Sequence, residues 1–227
     1  PTIAPTPTPR PAAGGTELYG FLPYWQMNPT MADYLGSAPL TTVALFSVTQ
    51  RQSGALNTTA TGYRRITGTI GRRLIDEAQA RGTRVDLVFT SFGADKNGIF
   101  FGRIVPPPAP ATPAPGASAA TPPPAPTAGV EATPGPTATV APWHRTVEEL
   151  VALAVELGVD GLCVDIELLD AEDRPAFGEF LTALRAALVT AKPDARLTVA
   201  TEAGMRGTGN AAAAAAGSSS PRMRWTL

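Results

Sequence analysis

A chain of 227 residues is long enough for one sizeable domain, and a formal net charge of −1 offers no basic surface to a nucleic-acid partner. A single cysteine excludes an internal disulfide, and no apolar run approaches the roughly 20 residues that a membrane span needs. His144 is the only histidine, so neither a metal cluster nor a Ser-His-Asp triad is expected. No glycine-rich phosphate loop is visible, and no cofactor is expected.

Residues 1–15 are mostly Pro, Thr and Ala and end in a Gly pair. They hold too little apolar surface to fold and read as a disordered linker or stalk. Such stalks often follow a secretion signal or anchor, so an extracellular or cell-surface location is expected. The chain opens at Pro1, and a leader or upstream segment is expected outside it.

The first strand is expected from Leu18 to Tyr24, within Tyr-Gly-Phe-Leu-Pro-Tyr-Trp, and the second from Thr42 to Val48. A helix from Tyr63 to Arg81 follows, with Tyr63, Ile66, Ile70, Leu74 and Ala78 as its apolar stripe and Gly82 closing it. The third strand is expected from Arg84 to Ser91. Residues 106–142 are almost wholly Pro, Ala, Thr and Gly and read as an extended low-complexity insertion. A helix from Thr146 to Leu157 opens on a capping box of Thr146 and Glu149 and ends at Gly158.

The strand after Gly158 is the most informative stretch. Alternation from Leu162 to Leu168 puts Leu162, Val164, Ile166 and Leu168 on one face. Gly161, Cys163, Asp165 and Glu167 take the other, with the two acids roughly 6–7 Å apart along the strand. This suits carboxylate chemistry at a strand's C-terminal end; an ordinary strand entering a solvated acidic loop is the plainer reading. A helix from Ala171 to Ala191 follows, with Asp170 as N-cap and Phe177, Phe180, Leu181, Leu184 and Leu188 as its buried face. A fifth strand is expected from Arg196 to Thr201. Residues 204–227 hold six consecutive alanines, a Gly-Ser run and a basic end, and read as a low-complexity tail in which Trp225 has no strand context.

Asp160-Gly161-Leu162-Cys163-Val164-Asp165-Ile166-Glu167 resembles the Asp-Gly-x-Asp-x-Asp-x-Glu signature of glycoside hydrolase family 18, the chitinases and peptidoglycan N-acetylglucosaminidases. Tyr19 to Trp25, the run Phe46-Ser47, Ser91-Phe92-Gly93 and Leu197 to Ala200 are similar to flanking segments of that family. The resemblance covers about Leu18 to Thr201 without the insertion. It implies an α/β fold of (β/α)8 TIM-barrel type, incomplete at about five βα units, over 16–203. No sixth strand can be placed, so the first and fifth strands are expected as open edges of a chain prone to aggregate.

The resemblance also implies a polysaccharide or peptidoglycan substrate of β-1,4-linked N-acetylglucosamine, cleaved with the substrate's own acetamido group as nucleophile. Glu167 is then the catalytic acid and Asp165 the residue that holds the acetamido N–H. Tyr24 and Trp25, placed by the family pattern at the barrel floor, would stack on sugar rings. Phe46, Ser91 and Asp160 complete the expected substrate-binding set. Cys163 departs from the signature, standing where chitinases carry an acid that shares a proton with the next Asp; its replacement by Asp is expected to be accepted. A monomer is expected, and a non-catalytic sugar-binding relative or an inactive fragment is compatible with the same residues.

Overall fold

In a computed structural model, residues 16–35, 38–106, 140–202 and 222–226 are described. The expected linker and most of the insertion and tail lie outside them. The elements run β1 (Tyr19–Pro23), α1 (Pro29–Leu35), β2 (Thr42–Thr49), α2 (Thr61–Thr67), α3 (Thr69–Ala80), β3 (Arg84–Phe92), α4 (Ala94–Phe100), α5 (Trp143–Leu157), β4 (Gly161–Glu167), α6 (Arg174–Ala191), β5 (Arg196–Glu202) and β6 (Arg222–Thr226). Short 3-10 turns at Tyr24–Gln26 and Ala171–Asp173 follow β1 and precede α6.

The strands form one sheet in the order β1-β2-β3-β4-β5-β6. The first five are parallel neighbours, as strand-helix alternation requires. β6 returns antiparallel along β5, pairing Val199 with Trp225 and Thr201 with Met223. This corrects two expectations: Trp225 lies in a strand, and β5 is not an edge. The sequence signal failed there because five residues after a long low-complexity run hold too little alternation to register.

The two faces of the sheet have different partners. Leu22, Val43, Leu45, Val85, Leu87, Phe89, Leu162, Val164 and Leu197 point to the helices and form the main core with Ile66, Leu74, Leu150, Leu153, Phe180 and Leu184. The opposite, inner face carries a second cluster of Ala44, Val88, Cys163 and Ala200, with Tyr19 and Phe46 against it. The helix stripe read from Tyr63 to Ala78 faces the main core, but the helix is broken at Gly68, whose extended backbone separates α2 from α3.

Three local expectations change. Thr146 does not cap α5; the helix begins at Trp143, and the Thr146 hydroxyl donates to the Gly54 carbonyl at 2.5 Å while the Glu149 carboxylate accepts from the Leu56 N–H at 2.7 Å. Both side chains therefore tie α5 to the loop after β2. Asp170 does not cap α6, because a 3-10 turn intervenes; its carboxylate receives Arg103 at 2.6 Å instead. Leu168 is not part of β4. It adopts a left-handed φ of 58° and is exposed, so the strand stops at Glu167.

Candidate active site

The parallel strands all end on one side of the sheet, the side where barrels of this construction carry chemistry. Asp165 and Glu167 are the last two inner-face positions of β4. Asp165 is buried and Glu167 half-buried. In register, Thr90 of β3 sits beside Asp165 and Phe92 beside Glu167. Thr90 in turn shares a 3.0 Å hydroxyl contact with Ser47 of β2.

An aromatic ribbon runs past the same strand ends. Tyr24 meets Trp25 edge-on at 5.0 Å, Trp25 meets Phe46 edge-on at 6.4 Å, and Phe46 lies near-parallel to Phe92 at 6.5 Å. Trp25 is 60% exposed and Phe92 43% exposed, so the ribbon offers flat apolar faces to a ligand beside Glu167. Tyr24 and Trp25 sit on the turn beyond the C-terminal end of β1, at the mouth and not the floor. Tyr24 is only partly exposed and packs on the main core.

Two expected substrate contacts lie elsewhere. Asp160 precedes β4 at the opposite end, roughly 23 Å along the strand from Glu167. Its carboxylate accepts from the Val85 N–H and from Gln79 Nε2, both at 3.0 Å, so it anchors β3 and α3 to the start of β4. Ser91 is fully buried on the helix side of β3. It accepts from Gln50 Nε2 at 2.8 Å and donates to Asn97 Oδ1 at 2.6 Å. Asn97 donates onward to the Glu167 carbonyl at 2.7 Å, so Ser91 fixes the end of β4 from behind.

The loop between β4 and α6 is held as firmly. Arg103 reaches the buried Asp173 carboxylate at 2.9 and 3.0 Å and Asp170 at 2.6 Å. The bond to Asp173 is the chief reason the Arg103 guanidinium is held above its ordinary range. Lys96, half-buried at the start of α4, donates to the Thr49 hydroxyl at 2.7 Å, and burial lowers its pKa.

Below Asp165 lies a polar floor that the sequence reading missed. The Tyr19 hydroxyl donates to Asp86 Oδ2 at 2.9 Å and is also hydrogen-bonded with the Cys163 thiol. Burial, reinforced by Asp86 and Cys163, holds the Tyr19 phenol far above its ordinary range. Burial likewise pushes Asp86 up to about 6, against the opposing effects of Tyr19 and Arg84. Alternation along β3 could have found both Asp86 and Phe92: it sets them opposite Val85, Leu87 and Phe89, and sets Ser91 with those apolar residues. Among the described residues, no group of His, Cys, Asp and Glu is placed to hold a metal ion.

No family model matches the chain, and no curated protein matches it in sequence. Among solved structures, a chitinase from Bacteroides thetaiotaomicron superposes with a TM-score of 0.51 at 12% identity, over 81% of this chain and 45% of that one. The spore cortex-lytic enzyme SleL of Bacillus megaterium gives a TM-score of 0.50 at 12% identity, over 81% of this chain and 34% of its own. The fold is chitinase-like. The chain spans less than half the length of either protein, so the likeness is to part of their barrel. No described helix is long and apolar enough to cross a membrane.

Proposed function

We propose that the chain derives from a family 18 glycoside hydrolase and cleaves β-1,4-linked N-acetylglucosamine polymers, chitin or peptidoglycan, outside the cell, as a monomer and without a cofactor. The observation that carries this reading is the position of Asp165 and Glu167 on successive inner-face positions at the end of β4, with Phe92 in register beside Glu167.

Glu167 gives its proton to the glycosidic oxygen as the bond to the anomeric carbon breaks. The carbonyl oxygen of the substrate's acetamido group attacks that carbon from the opposite face and closes an oxazolinium ring. Asp165 accepts the acetamido N–H and offsets the positive charge that develops. Water, deprotonated by the Glu167 carboxylate, then opens the ring, and two displacements retain the anomeric configuration. Trp25, Phe46 and Phe92 supply stacking faces for the sugar rings. Tyr24 contributes by holding Trp25 edge-on.

The test is Glu167→Gln assayed on chitin oligomers and on peptidoglycan. Loss of turnover by several orders of magnitude, with oligomer binding retained, is expected. An unchanged rate overturns the assignment of the acid. An unmutated chain that binds oligomers without cleaving them makes the protein a carbohydrate-binding one, and a chain that does neither overturns the reading altogether.

A further inference from the structure

Asp86 is a carboxylate on the inner face that neither the signature nor the proposed mechanism uses, and its environment is unusual. It is 2% exposed, and its Oδ1 has no hydrogen-bond partner. A buried acceptor without a partner carries a desolvation cost and calls for an explanation. The geometry around it offers one. Asp86 lies in register with Gly161, the glycine of the signature, and Val88 lies in register with Cys163. A Cβ on Gly161 would stand 2.6 Å from Asp86 Oδ1 and 2.5 Å from the Arg196 carbonyl oxygen. Asp86 therefore occupies a notch that only glycine leaves open, and a backbone acceptor borders the same notch.

The other oxygen leads to Cys163. The Tyr19 hydroxyl that donates to Asp86 Oδ2 is also hydrogen-bonded with the Cys163 thiol. Asp86, Tyr19 and Cys163 thus form one connected group directly beneath Asp165. We propose that Asp86 supplies from β3 the protonatable carboxyl that β4 lacks at position 163, acting through Tyr19 and Cys163 as a positioning residue for Asp165. This rests on the proposed reaction only for its functional half; the coupling between positions 86 and 163 stands on the floor geometry alone. The other charged groups facing Asp86 are Arg84, which favours its ionised form, and Glu17 and Asp160, which oppose it. Arg196 is the register neighbour of Gly161 on the far side.

Four proteins decide the matter: the unmutated chain, Asp86→Asn, Cys163→Asp and the double variant. Against the expectation from the signature that Asp is accepted at position 163, Cys163→Asp alone puts two carboxyls on one phenol and lowers the melting temperature at pH 7 by about 5–10 °C. In the Asp86→Asn background the same change is accepted, so the double variant melts well above Cys163→Asp. Equal losses in both backgrounds would remove the coupling and overturn the proposal. The second measurement is oligomer turnover or, if the chain only binds, oligomer affinity, between pH 5 and 7. Its inflection near pH 6 disappears in Asp86→Asn and returns in the double variant. A profile that Asp86→Asn leaves unmoved, with the melting coupling intact, makes Asp86 a packing residue and overturns its positioning role. A chain that neither cleaves nor binds refutes the proposed reaction and the positioning role with it, while the melting series still reads the coupling separately.

Discussion

Asn97 Nδ2 donates to the backbone carbonyl of Glu167 at 2.7 Å, and this bond fixes where the last acid of β4 stands. Asn97 is itself held by Ser91, and Ser91 by Gln50, all three buried on the helix side. Parallel strands β2, β3 and β4 are thereby locked at their ends by one polar thread. Asn97→Ala leaves the Ser91 hydroxyl and the Glu167 carbonyl each short of a partner. A loss of about 1–3 kcal/mol is expected. Chemical denaturation measures it, and a loss under about 0.5 kcal/mol would mean that water replaces the amide without cost.

Gly161 and Gly178 should respond in opposite ways to alanine. At Gly161 a Cβ meets backbone and the Asp86 carboxylate at 2.5 and 2.6 Å, so strand β5 or Asp86 must shift. At Gly178, within α6, a Cβ meets nothing within 4 Å. Gly161→Ala is expected to destabilise strongly. Gly178→Ala is expected to stabilise by about 0.5–1 kcal/mol through helix propensity. Thermal melts of the two variants check the pair; a neutral Gly161→Ala would show that the notch is not tight.

How far the sequence carried depended on whether a residue's role was written in its periodicity. The inner and outer faces of β4 were legible because Leu162, Val164 and Ile166 alternate with Cys163, Asp165 and Glu167. The pairs that hold the site were not. Asp160 matches a signature position and Ser91 a flanking segment, yet Asp160 lies at the far end of β4 and Ser91 on the back face of β3. A motif match gives residue type and spacing but not side-chain direction. The stripe of α2 and α3 was visible, but the break at Gly68 was not, since glycine interrupts a helix only when the backbone around it demands an extended residue. Helices α1 and α4 are seven residues each, too short for a stripe to mark them.

Stability should fall as pH rises through the range in which Asp86 ionises. Its folded value is raised by burial to about 6, above the roughly 4 of an unfolded chain. The folded state then binds the proton more tightly than the unfolded state. The contribution is fully present below about pH 4 and is lost by about pH 6, on the order of 2–3 kcal/mol. Carboxylates elsewhere follow the opposite trend in acid, so the informative quantity is the difference between the chain and Asp86→Asn across pH 4 to 7. A difference that stays flat over that range would place Asp86 in its ordinary range.

The aromatic ribbon should separate binding from folding. Trp25 is 60% exposed, so Trp25→Ala is expected to change stability by less than about 0.5 kcal/mol. Loss of its stacking face should weaken binding of N-acetylglucosamine oligomers roughly 3- to 10-fold. Phe92→Ala is expected to act in the same direction, since Phe92 lies in register with Glu167. Titration calorimetry with a chitin oligomer reads the effect. Unchanged affinity in both variants would mean that the ribbon only covers the sheet's inner face.

The antiparallel strand β6 makes the tail a structural part of the sheet. Five register pairs, from Thr198 with Thr226 to Glu202 with Arg222, give β5 a partner on the side away from β4. Deleting residues 203–227 should turn β5 into an edge with a row of unpaired N–H and C=O groups. Amide exchange along Thr198 to Thr201 is expected to speed up in the shortened chain, and soluble aggregates are expected to increase through edge-to-edge pairing. β1, which pairs with β2 alone among the described residues, should exchange at the same rate in both chains and serves as the internal control. Equal protection of β5 with and without the tail would show that β6 does not hold that edge in solution.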